Sequence, residues 1–427
     1  MITTITNPNE FKLKALQWAD SFDVVCYLDS NNFVDPYSKY DTLIAIGNKA
    51  EITGSSTGRA FEQLEKFKQK NPGWLFGFFG YDLKNELEDL DSQNPDYLHF
   101  PDLYFFAPEH LILIKGDIVE IVSEYGENIV EIISKHTFNI PKTSPELNLR
   151  SRFSRDEYLA AAEKIRSHIS RGDIYVTNFC QEFYAENAEI DALGIFLNLN
   201  SISPNPFGAY FKWKDNYILS ASPERFLVKR GNKLISQPMK GTARRGETAA
   251  EDENIKKQLR EHTKELQENV MIVDLVRNDL TRAAKQGTVK TEELFGIYTF
   301  HQLHQMISTV VCEIEDGLSE IQAIKRTFPM GSMTGAPKIS AMRLMEQYEK
   351  SKRGIYSGAL GYFSPDGDFD FNVVIRTLLY NSVDKYLSFH AGSAITYHAN
   401  AEFEYEECLL KAKAILEVLG TEIEKDQ

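Results

Sequence analysis

The sequence predicts the α+β fold class, with one large mixed domain. The chain has 427 residues, 42% of them hydrophobic and 26% charged, so it is globular and long enough to bury a large core. Strand-like and helix-like segments are interspersed without the regular strand–helix alternation that a doubly wound parallel sheet requires. These two observations favour a mixed domain over a parallel sheet.

The amino-terminal region is predicted to span residues 1–145. Its expected strands, from apolar and β-branched runs, are Val24–Leu28, Thr42–Ile46 and His110–Lys115. A helix is expected over Thr57–Lys70, because Asn71-Pro72-Gly73 would end it. The aromatic, glycine-rich stretch Gly73–Tyr81 is typical of a buried strand that another backbone approaches closely.

The polar, proline-containing segment Pro141–Ser154 predicts a boundary before a second region over 152–420. Ser154 and Glu157 have the spacing of a capping box, which predicts a helix to Arg171 that Gly172 ends. Further strands are predicted at Tyr175–Phe183, Tyr217–Ser220, Arg225–Lys229, Thr309–Glu315, Gly354–Phe363, Phe369–Tyr380 and Tyr386–Ala391. Further helices are predicted at Ala250–Gln286, Leu318–Phe328, Ile339–Tyr348 and Glu402–Leu419, the last ended by Gly420.

Charge and cysteine usage exclude several classes of function. The formal net charge of -15 argues against a nucleic-acid partner, because phosphate binding needs a basic surface. The four cysteines, which are far apart, indicate a reduced intracellular protein. They are Cys26, Cys180, Cys312 and Cys408. The amino terminus lacks signal-peptide features and no apolar run is long enough to span a membrane, so we expect a cytoplasmic protein without a membrane partner.

Lys240 is a candidate nucleophile, in the segment Pro238-Met239-Lys240-Gly241-Thr242. A free lysine is protonated at neutral pH and reacts poorly as a nucleophile. Burial, or a second cation such as Arg244 or Arg245, would lower its pKa and free the lone pair. The competing interpretation is a solvated surface residue, which is where most lysines lie.

Two predicted helices each carry a carboxylate pair at i, i+3, which places both groups on one helix face. The pairs are Glu265 with Glu268, and Glu404 with Glu407. Four convergent carboxylates would suit Mg²⁺, which prefers oxygen ligands and retained waters. The alternative is that both pairs lie on ordinary solvated faces.

Three further residues carry candidate chemistry. Arg376 lies in an apolar predicted strand and needs an anion, for which a substrate carboxylate and a protein carboxylate are equal candidates. Glu224 follows a predicted strand and could act as a general acid or base, or simply form an ordinary ion pair. His304, taken alone, is more typical of a core or surface residue than of a catalytic one.

The segment Pro329–Lys338, with Gly331 and Gly335 between two prolines, precedes a predicted helix. Its backbone amides and hydroxyls could hold a carboxylate, although it has neither P-loop nor dinucleotide-binding spacing. In the predicted helix Ala250–Gln286, Arg277 and Asp279 need partners, and a salt-bridge network is favoured for Asp274 and Asp279.

Together these motifs resemble the chorismate-utilising enzymes, from about Ser154 to Gly420, with a weaker match at Gly77–Leu83. The matching segments are SPERF (222–226), PMKGT (238–242), ENVMIVDLVRNDL (268–280), HQMIST (304–309), GSMTGAPK (331–338), IRT (375–377) and EYEECLLK (404–411). The resemblance implies antiparallel β-sheets packed as a sandwich with helices outside. It also implies that residues 1–145 pack into the same body.

Within this family the segment around Lys240 is similar to that of the aminodeoxychorismate synthases, whereas anthranilate synthases carry alanine in place of the lysine. The resemblance implies amination of chorismate at C4 to 4-amino-4-deoxychorismate, in p-aminobenzoate and folate biosynthesis. Lys240 would attack C2 and expel the C4 hydroxyl, with Glu224 as general acid. Ammonia would then add at C4 and displace Lys240.

The same resemblance implies a cofactor and a set of binding residues. Mg²⁺ would be held directly by Glu268 and Glu407, and through water by Glu265 and Glu404. The substrate-binding residues would be Gly241, Thr242, Thr334, Tyr356, Arg376, Gly392 and Lys411, with His304 near the ring.

Two positions depart from the family pattern. Val176 stands where isochorismate-forming members carry a water-activating lysine and aminating members usually carry glutamine, so it speaks against isochorismate or salicylate synthesis. Ala394 stands where glycine is usual, in an expected turn Gly392-Ser393-Ala394 before the last helix.

Either a separate glutamine amidotransferase subunit supplies the ammonia, or free ammonia is used directly, because none of the four cysteines lies on a tight glycine-flanked turn. The rival functions are anthranilate synthase component I and a catalytically silent binding subunit on the same fold.

Overall fold

A computed structural model describes residues 1–137, 147–300 and 303–424. The predicted α+β class is confirmed, since two large antiparallel sheets pack together with helices outside them. Part of the predicted boundary segment, residues 141–146 of Pro141–Ser154, lies outside the described residues. The division at this segment stays a prediction.

The helices of the described residues are α1 (Pro8–Ala19), α2 (Ala60–Lys70), α3 (Lys84–Leu87), α4 (Gly126–Lys135), α5 (Arg155–Arg171), α6 (Ala192–Ile202), α7 (Ala249–Glu261), α8 (Thr263–Thr281), α9 (Glu320–Thr327), α10 (Lys338–Tyr348) and α11 (Ala401–Leu419).

The first strands are β1 (Ile2–Thr4), β2 (Val24–Asp29), β3 (Thr42–Ile46), β4 (Ala50–Gly54), β5 (Leu75–Phe79), β6 (Leu103–Ala107), β7 (His110–Lys115), β8 (Ile118–Val122), β9 (Arg150–Ser151), β10 (Val176–Ala185) and β11 (Phe207–Trp213). The remaining strands are β12 (Asn216–Ser222), β13 (Arg225–Arg230), β14 (Lys233–Gln237), β15 (Met239–Arg244), β16 (Lys290–Thr299), β17 (Leu303–Glu313), β18 (Gly335–Ala336), β19 (Ala359–Phe363), β20 (Phe369–Val373), β21 (Thr377–Asn381) and β22 (Tyr386–Thr396).

The two sheets mix strands from both ends of the chain. The first has the order β1-β8-β7-β3-β2-β11-β12-β21-β22-β10-β18, and β9 pairs with β10. The second has the order β15-β17-β14-β13-β20-β19-β5-β6-β4, and β16 pairs with β17. Antiparallel pairing of β2 with β11 and of β5 with β19 joins residues before 137 to residues after 147 in both sheets.

The sheets face each other across an aromatic core. Phe78 of β5 packs edge-to-face on Phe211 of β11 at 5.6 Å between ring centroids. Tyr104 of β6 packs on the same Phe211 ring, also edge-to-face, at 5.9 Å. These contacts cross from the second sheet to the first, as expected for a sandwich. Outside, α1, α4, α6 and α11 cover the first sheet, and α2, α8 and α9 cover the second.

Local sequence signals set several helix ends as predicted. Ser154 caps α5, and both hydrogen bonds of its capping box with Glu157 are present. Gly172 and Gly420 end α5 and α11 in the left-handed conformation, which glycine adopts without steric cost. The helix predicted from Thr57 begins only at Ala60, because Arg59 is left-handed with φ 58°.

The long helix predicted over Ala250–Gln286 is wrong, because two helices form there. Helix α7 ends at Glu261 and α8 begins at Thr263, with His262 between them in an extended conformation. The His262 ring accepts a hydrogen bond from the Glu265 amide and so caps α8. Histidine is not a usual cap residue, so no sequence signal marked the break.

The predicted strands near the carboxyl end also need correction. Gly354–Phe363 begins as turns, and only Ala359–Phe363 is a strand. Phe369–Tyr380 is two strands in different sheets, β20 and β21. The expected turn at Gly392-Ser393-Ala394 lies inside β22, which pairs with β10 along its length.

The predicted salt bridges of α8 are present. Asp274 pairs with Arg277 at 2.9 Å, and buried Asp279 pairs with Lys338 at 2.6 Å. Among the described residues, no helix combines the length and the apolar character needed to span a membrane.

Candidate active site

A cavity of about 690 Å³ opens between β15, α8, α11 and the carboxyl-terminal strands. It is lined by all but three of the residues predicted to form the site. Those that line it are Glu224, Lys240, Gly241, Thr242, Glu265, Glu268, Tyr356, Arg376, Gly392, Glu407 and Lys411. The fold therefore brings together side chains that are up to 187 positions apart in the chain, from Glu224 to Lys411.

Glu224 and Arg376 lie where the chain passes from one sheet to the other. Glu224 separates β12 of the first sheet from β13 of the second, and Arg376 lies between β20 and β21. The two crossings run side by side, since the Val373 amide donates to the Glu224 carbonyl at 3.0 Å. The Ala221 amide likewise donates to the Arg376 carbonyl at 3.2 Å. The paired crossings hold both side chains at the cavity wall.

Burial raises the pKa of the Glu224 carboxyl to about 7. A hydrogen bond with Ser332 and the positive charges of Lys240 and Lys411 act in the opposite direction. A carboxyl with this pKa can hold a proton near neutral pH and release it in a reaction, as a general acid must.

The prediction that Arg376 lies within a strand is wrong. Arg376 lies between two strands and has a left-handed backbone with φ 50°. For a non-glycine residue this conformation costs energy and usually marks a functional constraint. Burial lowers the pKa of the guanidinium, and the nearby charge of Glu224 opposes this. No carboxylate of residues 1–137, 147–300 or 303–424 forms an ion pair with Arg376, which leaves its guanidinium open to an anion in the cavity.

Lys240 lies in a β-bulge, which turns its side chain into the cavity. Met239 faces Ile307 and Thr242 faces Gln305, so Lys240 and Gly241 together face one residue of β17. Gly241 adopts φ 91°, a conformation that favours glycine. The Lys240 side chain is 18% exposed and its Nζ lies 3.9 Å from Glu268 Oε2. Lys240 is therefore not the solvated surface residue of the competing interpretation.

The neighbouring side chains hold the bulge in place. Gln305 donates from Nε2 to the Gly241 carbonyl at 2.9 Å, and Thr242 donates from Oγ1 to Gln305 Oε1 at 3.2 Å. Asn269 of α8 is bonded to Ser308 at 2.7 Å and reaches the Lys240 carbonyl. The strand that carries Lys240 is thus tied to both β17 and α8.

Four carboxylates from α8 and α11 are neighbours at or just behind the cavity wall; we name them the carboxylate cluster. They are Glu265, Glu268, Glu404 and Glu407. Burial and the neighbouring negative charges raise the pKa of Glu265 and of Glu404. Burial also acts to raise the pKa of Glu407, but Lys411 at 2.7 Å and the charge of Lys240 outweigh it and lower the pKa to about 2.

The carboxylate cluster fits Mg²⁺ in the kind of donor it offers, because this ion prefers oxygen ligands. Burial first, and then the neighbouring glutamates, raises the pKa of Glu265 and of Glu404, and a nearby cation would oppose both effects. Within the part of the chain that the structure describes, however, no three acidic, histidine or cysteine side chains converge closely enough to hold a metal ion. Binding would require the glutamate side chains to turn toward one another.

Gly392 and Lys411 form the wall opposite Lys240. Lys411 Nζ donates to the Gly392 carbonyl at 2.8 Å. A Cβ on Gly392 would lie 2.6 Å from both Cys180 Sγ and the Phe179 carbonyl, so only glycine allows β10 to come this close. The physical reason for this glycine is strand packing rather than the turn predicted from sequence.

Three predicted residues lie behind the cavity wall. His304 is fully buried, with Nε2 at 2.9 Å from Asp252 Oδ1 and Nδ1 at 3.0 Å from Thr299 Oγ1. The Thr334 hydroxyl bonds the Met330 carbonyl of its own loop at 3.2 Å. Glu404, although in the carboxylate cluster, is 4% exposed and does not line the cavity. Their roles in substrate or metal binding stay predictions.

Sequence reasoning missed Lys264 and His390, which line or adjoin the cavity, and it named Ser332 only as one hydroxyl of a loop that could hold a carboxylate. Ser332 bonds Glu224, Lys264 lies between two carboxylates of the cluster, and His390 stacks on Tyr356 at 5.0 Å between centroids. Burial lowers the pKa of His390 to about 4, so its ring is neutral. Ser332 and Lys264 stand inside or beside the family motifs, and their contacts could not be read without the fold.

Comparison with known families matches residues 24–417 to the chorismate binding enzymes. The aminodeoxychorismate synthase component 1 of Salmonella typhimurium is 30% identical, with 92% of each chain covered. The anthranilate synthase component 1 of Aquifex aeolicus is also 30% identical, over 81% of this chain and 74% of that protein.

Solved structures share the fold. The anthranilate synthase component I of Streptococcus pneumoniae superposes with a TM-score of 0.76 at 24% identity, over 89% of this chain and 93% of that one. The menaquinone-specific isochorismate synthase of Escherichia coli superposes with a TM-score of 0.75 at 15% identity, over 98% and 94%. Because the family match extends over most of the sequence and includes the cavity residues, the chain belongs to the chorismate-binding enzymes.

Proposed function

We propose that the protein is an aminodeoxychorismate synthase component I, which aminates chorismate at C4 to 4-amino-4-deoxychorismate for p-aminobenzoate and folate biosynthesis. The observation that carries this proposal is the placement of Lys240 on a bulge that turns it into the cavity, where its charge acts on Glu224. The anthranilate-forming members resemble this chain elsewhere but carry alanine at this position.

In the proposed reaction the neutral Lys240 amine attacks C2 of chorismate, both conjugated ring double bonds shift, and the C4 hydroxyl leaves with the proton of Glu224 as water. Ammonia then adds at C4, both double bonds shift back, and the C2–Lys240 bond breaks to return the neutral amine. The new C4 ammonium group gives a proton back to the Glu224 carboxylate. The pKa of Glu224 near 7 supports its role as the acid, since a protonated carboxyl must be present when the hydroxyl leaves.

The substrate carboxylates are proposed to bind Arg376, Tyr356 and Lys411, with Gly241, Thr242, Thr334 and Gly392 as further contacts. Arg376 suits this role because its guanidinium faces the cavity and forms no ion pair with a carboxylate of the described part of the chain. His304 is proposed to act through Asp252 and β17, since its ring does not reach the cavity.

Mg²⁺ is proposed as cofactor, with Glu268 and Glu407 as direct ligands and Glu265 and Glu404 as partners through water. When bound, it supplies positive charge beside the ring carboxylate and the departing hydroxide. The carboxylate cluster holds this position on two facing helices.

Ammonia is proposed to come from a separate glutamine amidotransferase, and the protein to work in the cytoplasm. All four cysteines are buried, and burial raises the pKa of each thiol, so none is a glutaminase nucleophile. Four free thiols are also typical of a reducing compartment.

Product analysis tests the proposal. We expect chorismate, ammonium and Mg²⁺ to give 4-amino-4-deoxychorismate, identified by liquid chromatography with mass spectrometry. Formation of anthranilate would show the rival synthase, and no conversion at all would favour a silent binding subunit. Intact-protein mass spectrometry without ammonia should show a chorismate-derived adduct on Lys240.

The Lys240→Ala variant should lose amination by about 100-fold or more, because it removes the nucleophile. Lys256→Ala, which removes a lysine of α7 outside the cavity, is the matched control and should behave as the unchanged protein. Amination that survives in Lys240→Ala would rule out the covalent mechanism.

A further inference from the structure

Lys264 links the two helices that carry the carboxylate cluster. Its Nζ lies 3.7 Å from Glu268 Oε1 on its own helix and 3.7 Å from Glu404 Oε1 on α11. The lysine side chain is 48% exposed, whereas the side chain of Glu404 is only 4% exposed. One ammonium group with access to solvent therefore bridges carboxylates that are themselves largely buried.

The position of Lys264 has a cost for its own helix. It stands in the first turn of α8, where the positive end of the helix dipole disfavours a cation. The nearby carboxylates offset this cost, because two of them lie within ion-pair distance. A lysine at this position is therefore explained by the carboxylate cluster and not by helix stability.

Two other ammonium groups neighbour the carboxylate cluster, and both belong to side chains that are less exposed than that of Lys264. Lys240 lies on the bulge with 18% of its side chain exposed, and Lys411 is bonded to both Glu407 and the Gly392 carbonyl. Three lysines thus oppose four glutamates, so a divalent cation cannot join them without an excess of positive charge. Lys264 is the lysine with the exposed side chain and no further hydrogen bond among the described residues.

We propose that Lys264 is a built-in counter-ion that holds the carboxylate cluster together without metal and moves into solvent when Mg²⁺ binds. This inference rests on the proposed Mg²⁺ site. Competition between the ammonium group and Mg²⁺ sets the affinity for the ion, and the bridge to Glu404 keeps α8 and α11 ordered until it arrives.

Calorimetric titration of Mg²⁺ into the substrate-free protein tests the competition directly. Lys264→Gln removes the competing charge, so its Kd for Mg²⁺ should be tighter than that of the unchanged protein by about two- to five-fold, the range for a partly exposed ion pair. Lys264→Arg keeps the charge and should stay within about two-fold. The matched control is Lys66→Gln, which also breaks a lysine–glutamate pair but lies on α2 outside the cavity.

Thermal unfolding gives a second readout that does not depend on catalysis. In EDTA, the melting temperature of Lys264→Gln should fall by about 1–3 °C, because the carboxylates repel one another without the bridge. Saturating Mg²⁺ should restore it, so the gain on adding the ion should be larger in the variant than in the unchanged protein. Lys66→Gln should show the same gain as the unchanged protein.

Weaker or unchanged Mg²⁺ binding by Lys264→Gln would overturn the counter-ion role, since a lysine that helps to hold the ion would give weaker binding. If the unchanged protein itself shows no Mg²⁺ binding, both this inference and the proposed metal site fail. If it binds Mg²⁺ and only the Lys264→Gln comparison fails, the proposed function stands without the counter-ion.

Discussion

At the scale of single residues, the site depends on burial more than on residue type. Glu224 is one of many glutamates, but its position between two sheets removes it from water and raises its pKa to about 7. Arg376 is placed by the neighbouring crossing of the same sheets. Sequence could mark both as candidates, but it could not say that a buried crossing would change their proton affinity.

Replacement of Glu224 by glutamine should lower the activity and, at the same time, remove a loss of stability that the unchanged protein shows at high pH. We expect kcat to fall by about 100-fold, because the proposed acid is lost. The folded protein binds the Glu224 proton more tightly than the unfolded chain does, so the unchanged protein loses stability as pH rises from 4.5 to about 7. Glutamine avoids this loss, so the stability of the variant relative to the unchanged protein should be about 3 kcal/mol more favourable at pH 8 than at pH 4.5.

Urea unfolding of both proteins at pH 4.5 and pH 8 checks this. Glu261→Gln, at the exposed end of α7, is the control and should show no pH-dependent difference. A stability difference for Glu224→Gln that is the same at both pH values would contradict the raised pKa.

At the scale of elements, strand register and close approach decide where the side chains point. The bulge in β15 turns Lys240 into the cavity. In this bulge Lys240 and Gly241 together face a single residue of β17. The packing of β22 against β10 likewise requires a glycine at position 392. The resemblance to the family implied a turn around Gly392, and one glycine alone does not distinguish a turn from a crowded strand.

Gly392→Ala should destabilise the protein by about 2 kcal/mol, since the new methyl group would overlap Cys180 Sγ and the Phe179 carbonyl. Gly73→Ala is the control, because its added Cβ would meet no atom within 4 Å, and its effect should stay within about 0.5 kcal/mol. Equilibrium urea unfolding measures both. Equal effects of the two substitutions would show that the contact between β22 and β10 is not tight.

At the scale of the whole molecule, the two sheets join the two regions between which the sequence predicts a boundary, 1–145 and 152–420. Strand β2 pairs with β11 and β5 pairs with β19, so residues before 137 complete both sheets. The cavity in turn depends on β15 and β22, which belong to different sheets. The stability of the site is therefore expected to depend on the amino-terminal residues, although the cavity itself is lined from Asn178 onward.

A fragment of residues 147–424 should not fold cooperatively, because β11 and β19 would lose their partners and expose apolar edges. In the full chain, single-tryptophan variants that keep Trp74 or Trp213 should unfold in urea with coincident midpoints. The reason is that both tryptophans pack against the same hydrophobic core, although one precedes residue 137 and the other follows residue 147. Circular dichroism of the fragment and fluorescence of the variants are the measurements. A folded fragment, or two separate transitions, would indicate independent domains.

The sequence by itself determined the features that short-range chemistry encodes. The capping box of α5, the glycine stops of α5 and α11, the mixed class and the family motifs follow from residue spacing alone. Only the tertiary structure decided which strands share a sheet, where His262 breaks a helix, and that Lys264 bridges two carboxylates. The physical reason is that pairing, burial and charge balance arise between residues far apart in the chain, and local periodicity carries no record of them.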